Sequence, residues 1–264
     1  KDGPFSDFSG IIDEINAGSL DVSGCGYTGS DTDWRLPNAL ELESLINIET
    51  AEQATWLGSQ GFLNVQAAQY WSRTPLASTP TVNGIIANLA TGAVGNAAMI
   101  ASYRAWPVRA GSSGPPVSSA RSNLWEEGSD LVSSPSTGVF WPEPRFVAHS
   151  DGTATDRLTG LMWLQDFECL GTANWQGALD TVADFNLALP SGSYACPDYT
   201  PGPYDDWRLP NRKELLSLVD FASFRPALPP GHPFLNANQA IYWSSSVNAL
   251  SFASNAWTPS LWFP

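Results

Sequence analysis

The sequence predicts an α+β fold that is repeated twice along the chain. A thirteen-residue pattern, D-W-R-L-P-N-x-x-E-L-x-S-L, occurs at residues 33–45 and again at 206–218. Each copy is followed by the strand pattern Y-W-S, at 70–72 and at 242–244. Such self-similarity at long spacing is typical of tandem domains. Around these anchors, runs typical of strands alternate with apolar residues at helical spacing. Each copy is therefore predicted to contain two helices and a small, mostly antiparallel sheet.

The copies are predicted to span residues 1–110 and 139–264, joined by a linker at 111–138 that is rich in Ser, Gly and Pro. By alignment, the first copy lacks its N-terminal hairpin and the second lacks its C-terminal strands. Two interpretations stay open. Either the sequence is a fragment of a longer protein, or neighbouring chains supply the missing strands at open sheet edges.

The helices follow from apolar periodicity and from capping residues. Residues 8–18 and 174–189 carry apolar side chains at helical spacing and are predicted to form the first helix of each copy. The second helix starts within the repeated pattern. There Asn38 and Asn211 are residue types that cap helices, and a glutamate stands three residues after each. This arrangement predicts a capping box, in which each side chain accepts a hydrogen bond from the other residue's backbone N–H.

The repeated pattern contains Asp, Arg, Asn and Glu, which are all residue types found in catalytic sites. A structural role is nevertheless favoured, because the tryptophans suit core positions and the arginines suit bidentate bonds to carboxylates. The residues predicted to be structural are Trp34, Arg35, Asn38, Glu41 and Trp71 in the first copy, and Trp207, Arg208, Asn211, Glu214 and Trp243 in the second.

Motifs of common enzyme classes do not occur in the sequence. It has no glycine-rich phosphate loop, no G-x-S-x-G and no H-E-x-x-H. The two histidines, His149 and His232, have no counterparts in the first copy, and His232 is interpreted as a loop residue. We therefore expect a non-enzymatic protein. An enzyme would need a convergent polar pocket that the sequence does not indicate.

Charge and composition disfavour several partners and favour the cell exterior. Twelve basic and 26 acidic residues give a formal charge of −14, which disfavours nucleic acids and anionic membranes. No apolar run approaches the roughly 20 residues of a membrane-spanning helix. The composition suits a secreted or cell-surface protein, in which Cys169 and Cys196 are expected to form a disulfide. Cys25 is either free or paired outside this sequence.

Candidate ligand residues lie in the polar stretches that follow the two Y-W-S strands, residues 73–83 and 247–255, which differ between the copies. Loops on a rigid scaffold commonly carry recognition. The alternative is that they are ordinary variable loops whose aromatic residues belong to the core. In an acidic turn, Asp151 and Asp156 suggest a calcium site, although the dense acidic pattern of calcium loops does not occur; no other cofactor is expected. The predicted ligand-binding residues are Arg73, Thr74, Asn83, Asn248, Asn255 and Trp257.

Several longer motifs occur together in this chain. They are G-L-M-W-L-Q-D at 160–166, A-L-P-P-G-H-P-F at 227–234, Y-W-S-S-S at 242–246, R-A-W-P-V-R at 104–109 and the repeated pattern itself. In this combination the chain resembles the bacterial domain family named after the C-terminal domain of the Legionella collagen-like adhesin. The resemblance implies a C-type-lectin-like fold, related to the scaffold of formylglycine-generating enzymes and displayed on secreted or surface proteins.

The same resemblance implies structural roles for the motif positions, with Tyr70 and Tyr242 among them. No pair of cysteines resembles the copper-binding pair that formylglycine-generating chemistry needs. The namesake adhesin binds sulfated polysaccharide, and the charge of −14 argues against that ligand here.

Together these observations predict an extracellular, non-enzymatic adhesion or ligand-recognition protein whose partner is a carbohydrate or a protein at the cell surface. The alternative is a structural subunit of a surface filament or homo-oligomeric assembly, completed by strand exchange between chains. A recognition module is expected to be monomeric by light scattering, whereas a strand-exchanging subunit is not.

Overall fold

The computed structural model of the chain forms two compact units, residues 1–140 and 141–264, and each is described by itself. The predicted linker at 111–138, Cys25 and Asn255 lie outside the described residues. The residues that the structure describes are 2–3, 5–22, 24, 27, 29–109, 142–187, 196, 198–200, 204–221, 223–237, 241–248 and 256–258.

The first unit packs three helices against a five-stranded sheet. The sheet has the order β1-β5-β2-β3-β4, in which β5 pairs with β2 in parallel and the other neighbours are antiparallel. The helices are α1 (Phe5–Asn16), α2 (Ala39–Ser44) and α3 (Gln53–Ser59). The strands are β1 (Asp2–Gly3), β2 (Gln69–Pro75), β3 (Asn83–Asn88), β4 (Ala93–Ala98) and β5 (Tyr103–Arg104).

The second unit begins with a three-stranded antiparallel sheet and continues with two helices. Its strands are β6 (Phe146–Ala148), β7 (Thr153–Asp156) and β8 (Met162–Leu164), in the order β6-β7-β8. Its helices are α4 (Trp175–Asn186) and α5 (Arg212–Ser217). Gly152 lies in the turn between β6 and β7 with φ +80°, where a Cβ would meet the carbonyl oxygen of Asp198, so the turn requires glycine.

The described residues therefore form an α+β protein with five helices and two mostly antiparallel sheets. The hairpin predicted before the G-L-M-W motif is present as β6 and β7, and β8 extends it. The prediction of two helices in each copy was wrong for the first copy, where α3 follows the second helix. Leu57, only 1 % exposed, anchors α3 in the core beside partly buried Trp56.

Two apolar clusters form the core of the first unit. One is centred on Leu42, Ile46 and Leu57, and the other on Leu36 and Trp71. In both units the helix that starts in the repeated pattern has the predicted capping box. No helix in the described part of the chain combines the length and apolarity needed to cross a membrane.

Candidate functional site

An asparagine at the end of the first helix holds the repeated pattern in both units. Asn16 Nδ2 donates to the Trp34 carbonyl at 2.9 Å, and Trp34 N donates to Asn16 Oδ1 at 2.8 Å. Asn186 makes the same two bonds with Trp207, at 2.7 and 2.8 Å. Sequence analysis gave neither asparagine this role, although an Asn ends both α1 and α4.

The arginine of the repeated pattern forms a bidentate ion pair with the glutamate of the capping box. Arg208 Nη1 and Nη2 donate to the two carboxylate oxygens of Glu214 at 2.7 and 2.6 Å. This hydrogen bonding lowers the pKa of Glu214 and raises the pKa of Arg208. Arg35 bonds Glu41 in the same bidentate way. The predicted structural role of these four residues therefore corresponds to a defined contact in each unit.

In the first unit, residues 103–109 cover the apolar face formed by α1, the repeated pattern and β2. Within this segment β5 lies between β1 and β2. The ring of Tyr103 lies 5.1 Å from the ring of Trp71, and the ring of Trp106 lies 5.7 Å from that of Tyr70. Trp71 is 0 % exposed and Tyr70 is 5 % exposed, so this segment belongs to a closed core.

The polar contacts of the same segment fix its register. Val108 exchanges two backbone hydrogen bonds with Arg35, at 2.9 and 2.8 Å. Arg109 follows and forms ion pairs with Asp33 at 2.8 Å and with Asp31 at 2.9 Å. The hydrogen bond to Asp33 raises the pKa of Arg109. Aromatic contacts, the backbone bridge at Val108 and the ion pairs of Arg109 thus hold this segment in place.

The second unit contains a groove with a cavity volume of about 980 Å³. Its walls are β8 with the residues that follow it, α4, residues 204–210, the start of α5 and residues 241–243. Aromatic rings supply much of the apolar surface. The aromatic residues of the groove are Trp163, Phe167, Tyr204, Trp207, Tyr242 and Trp243.

Part of the groove corresponds to the face that residues 103–109 cover in the first unit. The helices α1 and α4 have 12 residues each and are offset by 170 positions, the repeated patterns are offset by 173, and the Y-W-S strands are offset by 172. In this register, Thr172 and Ala173 correspond to Asp2 and Gly3, and Thr181 and Val182 correspond to Ile11 and Ile12. In the repeated pattern, Trp207, Arg208 and Leu209 correspond to Trp34, Arg35 and Leu36. In the Y-W-S strands, Tyr242 and Trp243 correspond to Tyr70 and Trp71.

The two faces differ in exposure. Tyr242 and Trp243 are only half-buried, whereas their counterparts in the first unit are buried. The side chain of Arg208 is 57 % exposed, against 18 % for the side chain of Arg35. Within the described part of the chain, no segment covers the groove as residues 103–109 cover the first-unit face.

Unsatisfied polar atoms are built into the groove walls. The Tyr242 hydroxyl and the indole nitrogens of Trp163 and Trp207 are buried and have no hydrogen-bond partner within the described residues. Burial raises the pKa of Tyr242 to about 12, with a further contribution from the nearby carboxylates of Glu168 and Asp166. The two indole N–H groups can donate a hydrogen bond to a ligand or to water, and the Tyr242 hydroxyl can donate or accept one.

The charge of the groove is mostly negative. Four carboxylates line it, those of Asp166, Glu168, Asp206 and Glu214, against the single guanidinium of Arg208. Because Glu214 is neutralised by Arg208, the remaining carboxylates favour a neutral or cationic ligand over an anionic one.

The ligand residues predicted from the sequence do not converge on this groove. Thr74 is 1 % exposed and its hydroxyl accepts the Ala39 N–H at 2.9 Å, which argues against its predicted role in ligand binding. Arg73 donates its backbone N–H to the Pro37 carbonyl at 2.8 Å, and Asn83 bonds Thr79 within its own loop.

Trp257 and Asn248 belong to the corresponding part of the second unit. The guanidinium of Arg212 lies 4.0 Å from the centre of the Trp257 ring, so one face of that ring is covered by a cation–π contact. That face of the Trp257 ring is therefore packed against the protein and is not open to a ligand. Asn248 is half-buried and does not line the groove.

The two aspartates of the acidic turn have separate structural roles. Asp156 is 0 % exposed and accepts hydrogen bonds from Arg145 at 3.1 and 2.9 Å, which makes the guanidinium its counter-ion. Asp151 accepts from the backbone and hydroxyl of Thr153, and the hydroxyl bond lowers the pKa of Asp151. The buried cation at Asp156 argues against the suggested calcium site.

Other charged and sulfur groups of the second unit are also accounted for. Cys169 and Cys196 form a disulfide. His149 Nε2 lies 2.9 Å from the Thr155 hydroxyl, and His232 Nδ1 accepts the Phe234 N–H at 3.2 Å, as suits a loop histidine. Burial lowers the pKa of His232. Among the described residues, no group of three or more His, Cys, Asp or Glu side chains is placed to hold a metal ion.

Sequence reasoning missed the groove residues that come from outside the motifs, such as Tyr204 and Phe167. The signal that could have found them was the alignment itself. It showed no R-A-W-P-V-R strand in the second copy while the residues that face this strand were retained.

Comparison with known proteins agrees with the duplicated architecture. The model of the Lcl C-terminal domain matches residues 6–109 and 152–263. A comparison with curated proteins found no match. Because the family model covers most of the chain in two consecutive segments, the chain belongs to the Lcl C-terminal domain family and carries two tandem copies of the domain.

Proposed function

We propose that this protein is a non-enzymatic recognition protein of the cell exterior, built from two lectin-like modules, and that the groove of the second unit binds its ligand. The observation that carries the proposal is the groove itself. It has a volume of about 980 Å³ and is lined by six aromatic residues, and the Tyr242 hydroxyl and the indole nitrogens of Trp163 and Trp207 in its walls are buried without a hydrogen-bond partner within the described residues. A concave, largely apolar site with a few polar groups is the usual form of a binding site.

Recognition is favoured over catalysis by the chemistry of the groove. Both carboxylate oxygens of Glu214 are occupied by Arg208, and one also accepts the Asn211 N–H at 2.7 Å. A carboxylate held in this way does not exchange protons readily, since its pKa is lowered. The aromatic rings instead offer faces for stacking against sugar rings or against peptide side chains.

An extracellular location is supported by the disulfide between Cys169 and Cys196, because such bonds persist in oxidising compartments. The negative groove argues against sulfated polymers and in favour of neutral sugars or cationic peptides.

The test is a binding screen of the intact chain against a glycan array and a displayed random-peptide library. Thr181→Trp places an indole in the groove, and Ala183→Trp is the matched control, since Ala183 is exposed on the same helix and does not line the groove. We expect ligands that bind the natural chain and Ala183→Trp but bind Thr181→Trp at least about tenfold more weakly. Ligands that bind all three proteins equally, or the finding of no ligand, would contradict the proposal.

The structural-subunit alternative remains a distinct proposal. It requires that the groove be filled by a second copy of this chain. Light scattering of the intact chain distinguishes the two, because only the alternative predicts concentration-dependent oligomers that Thr181→Trp disperses.

A further inference from the structure

One turn of the second unit is held by a hydrogen bond that only a neutral imidazole can accept. The Phe234 N–H donates to His232 Nδ1 at 3.2 Å. A neutral imidazole has one acceptor nitrogen, whereas a protonated imidazole carries N–H groups on both nitrogens and accepts no hydrogen bond. Proton uptake by His232 therefore replaces this bond by two donors that face each other.

At the corresponding place, the first unit uses an acceptor that does not titrate. The sequence F-L-N occurs at 62–64 and at 234–236, with the offset of 172 that also relates the Y-W-S strands. The Phe62 N–H donates to the Leu57 carbonyl at 3.2 Å, and Gln60 stands at the position of His232. Sensitivity of this turn to protons is thus expected in the second unit, and the first unit is an internal reference.

The ring of Phe234 joins this turn to the rest of the second unit. Phe234 is 5 % exposed, and its ring lies 5.1 Å from that of Phe146 in β6 and 5.0 Å from that of Phe167. The imidazole of His232 stacks on the same ring at 5.8 Å. The turn is therefore part of the aromatic packing and not a free loop.

The backbone of the next residue extends this contact. The Leu235 N–H donates to the Gln165 carbonyl at 2.7 Å, and the Phe167 N–H donates to the Leu235 carbonyl at 3.1 Å. Because Phe167 lines the groove, residues 232–236 support one of its walls.

The surroundings of His232 supply no counter-ion for an added proton. Within the described residues His232 forms no ion pair, and burial is the cause that lowers its pKa. The charged and titratable side chains on the elements packed against this turn are Arg145, Asp156, Asp166, Glu168, Asp220 and Tyr242. Of these, Arg145 and Asp156 neutralise each other, and Asp166 accepts from the Glu168 N–H at 2.9 Å.

We propose that His232 is a pH-sensitive switch, which holds residues 232–236 against the stretch after β8 when neutral and releases them when protonated, loosening the groove wall at Phe167. Since burial lowers the pKa of His232 from its ordinary 6.5, the released state binds the proton more readily than the held state. The held state is therefore fully favoured above pH 6.5 and is lost as the pH falls through the lowered pKa. The switch acts whether or not the groove holds a ligand.

The test is amide hydrogen exchange of the intact chain, measured by NMR at about pH 7 and about pH 5 and expressed as protection factors, which remove the intrinsic pH dependence of exchange. The protection of the Phe234, Leu235 and Phe167 N–H groups should fall at least about fivefold toward the lower pH. The protection of the Phe62 N–H should stay constant.

His232→Asn separates titration from hydrogen bonding. An asparagine oxygen can accept the N–H two residues later, as Asn47 Oδ1 does from Glu49 N at 3.0 Å. In this variant, protection should be the same at both pH values. His149→Asn is the matched control, because His149 is the only other histidine of the sequence, and it should behave like the natural chain.

Protection that is independent of pH in the natural chain would overturn the proposal. So would a loss of protection that persists in His232→Asn or disappears in His149→Asn.

The imidazole resonances of the natural chain give a second measurement that needs no variant. Titration of His232 below pH 6.5, with changes in the Phe234 and Phe167 ring resonances at the same midpoint, supports the switch. Titration at or above pH 6.5 contradicts it. Neither measurement contains a ligand, so failure of the switch is distinguished from failure of the proposed recognition function, which the binding screen tests separately.

Discussion

The buried ion pair between Arg145 and Asp156 should be the most sensitive polar contact of the second unit. The side chain of Arg145 is 4 % exposed and that of Asp156 is 0 % exposed. Besides the carboxylate, Arg145 Nη2 bonds the Ser217 carbonyl at 2.6 Å, which ties the β6–β7 hairpin to the end of α5. Asp156 also accepts from Leu158 N at 2.9 Å and from the Thr159 hydroxyl at 3.0 Å.

Asp156→Ala leaves the guanidinium buried without its counter-ion and leaves two further donors unsatisfied. Breaking a buried pair in this way costs about 3–5 kcal/mol, a large part of the roughly 5–15 kcal/mol that stabilises a typical domain. Asp151→Ala is the control, because it removes only the bonds to Thr153 and should cost about 1 kcal/mol.

The measurement is urea denaturation of the intact chain, combined with hydrogen-exchange mass spectrometry of peptides from each unit. Exchange should accelerate in the peptides that contain β6, β7 and α5, with the first unit unchanged as the internal reference. A double variant, Arg145→Met with Asp156→Leu, should recover much of the loss, since an apolar pair can replace a buried ion pair. A cost below about 1 kcal/mol for Asp156→Ala, or a calcium-dependent stabilisation that this substitution abolishes, would refute the reasoning.

Three further predictions concern the contacts that stabilise the second unit around the groove. Asn186→Ala removes two hydrogen bonds and should lower the unfolding free energy of the second unit by about 2 kcal/mol in urea denaturation. Reducing the disulfide between Cys169 and Cys196, which are 27 residues apart, should cost about 3.5 kcal/mol and lower the thermal midpoint, a shift that Cys196→Ser should reproduce. Because Arg208 lowers the pKa of Glu214 in the folded state, its stabilisation is present above the ordinary pKa of 4.5 and is lost as the pH falls through the folded pKa. Glu214→Gln should therefore flatten the acid limb of the stability profile, measured as unfolding free energy against pH.

Several local features of the fold were predictable from sequence rules that involve near neighbours. The capping boxes follow from Asn38 and Asn211 with a glutamate three residues later, because both partners lie within one helical turn. The helix α4 follows from apolar periodicity, and the hairpin of β6 and β7 follows from an Asp-Gly turn between strand patterns. These features depend on neighbours in sequence, and hence a single sequence is sufficient to find them.

The groove was not predictable by the same rules, because it depends on contacts between distant segments. Whether Tyr242 is open or covered is decided by a segment like 103–109, which lies more than 30 positions after Tyr70 in the first unit. The predicted ligand role of Thr74 neglected contacts of the same kind. Thr74 is polar and follows a strand, which suggests a surface loop, yet its hydroxyl is used inside the core to hold the Ala39 N–H.

The walls of the groove are held by contacts that have counterparts in the first unit and by others that do not. The contacts that hold the walls, Asn186 with Trp207 and Arg208 with Glu214, lie within the walls themselves, as their counterparts do in the first unit. The second unit adds the disulfide and the buried pair of Arg145 with Asp156, and Cys169 has no counterpart in the first copy. A groove whose walls are held by their own contacts changes little when a ligand binds and loses less conformational entropy, which supports the proposal that the second unit is the recognition site.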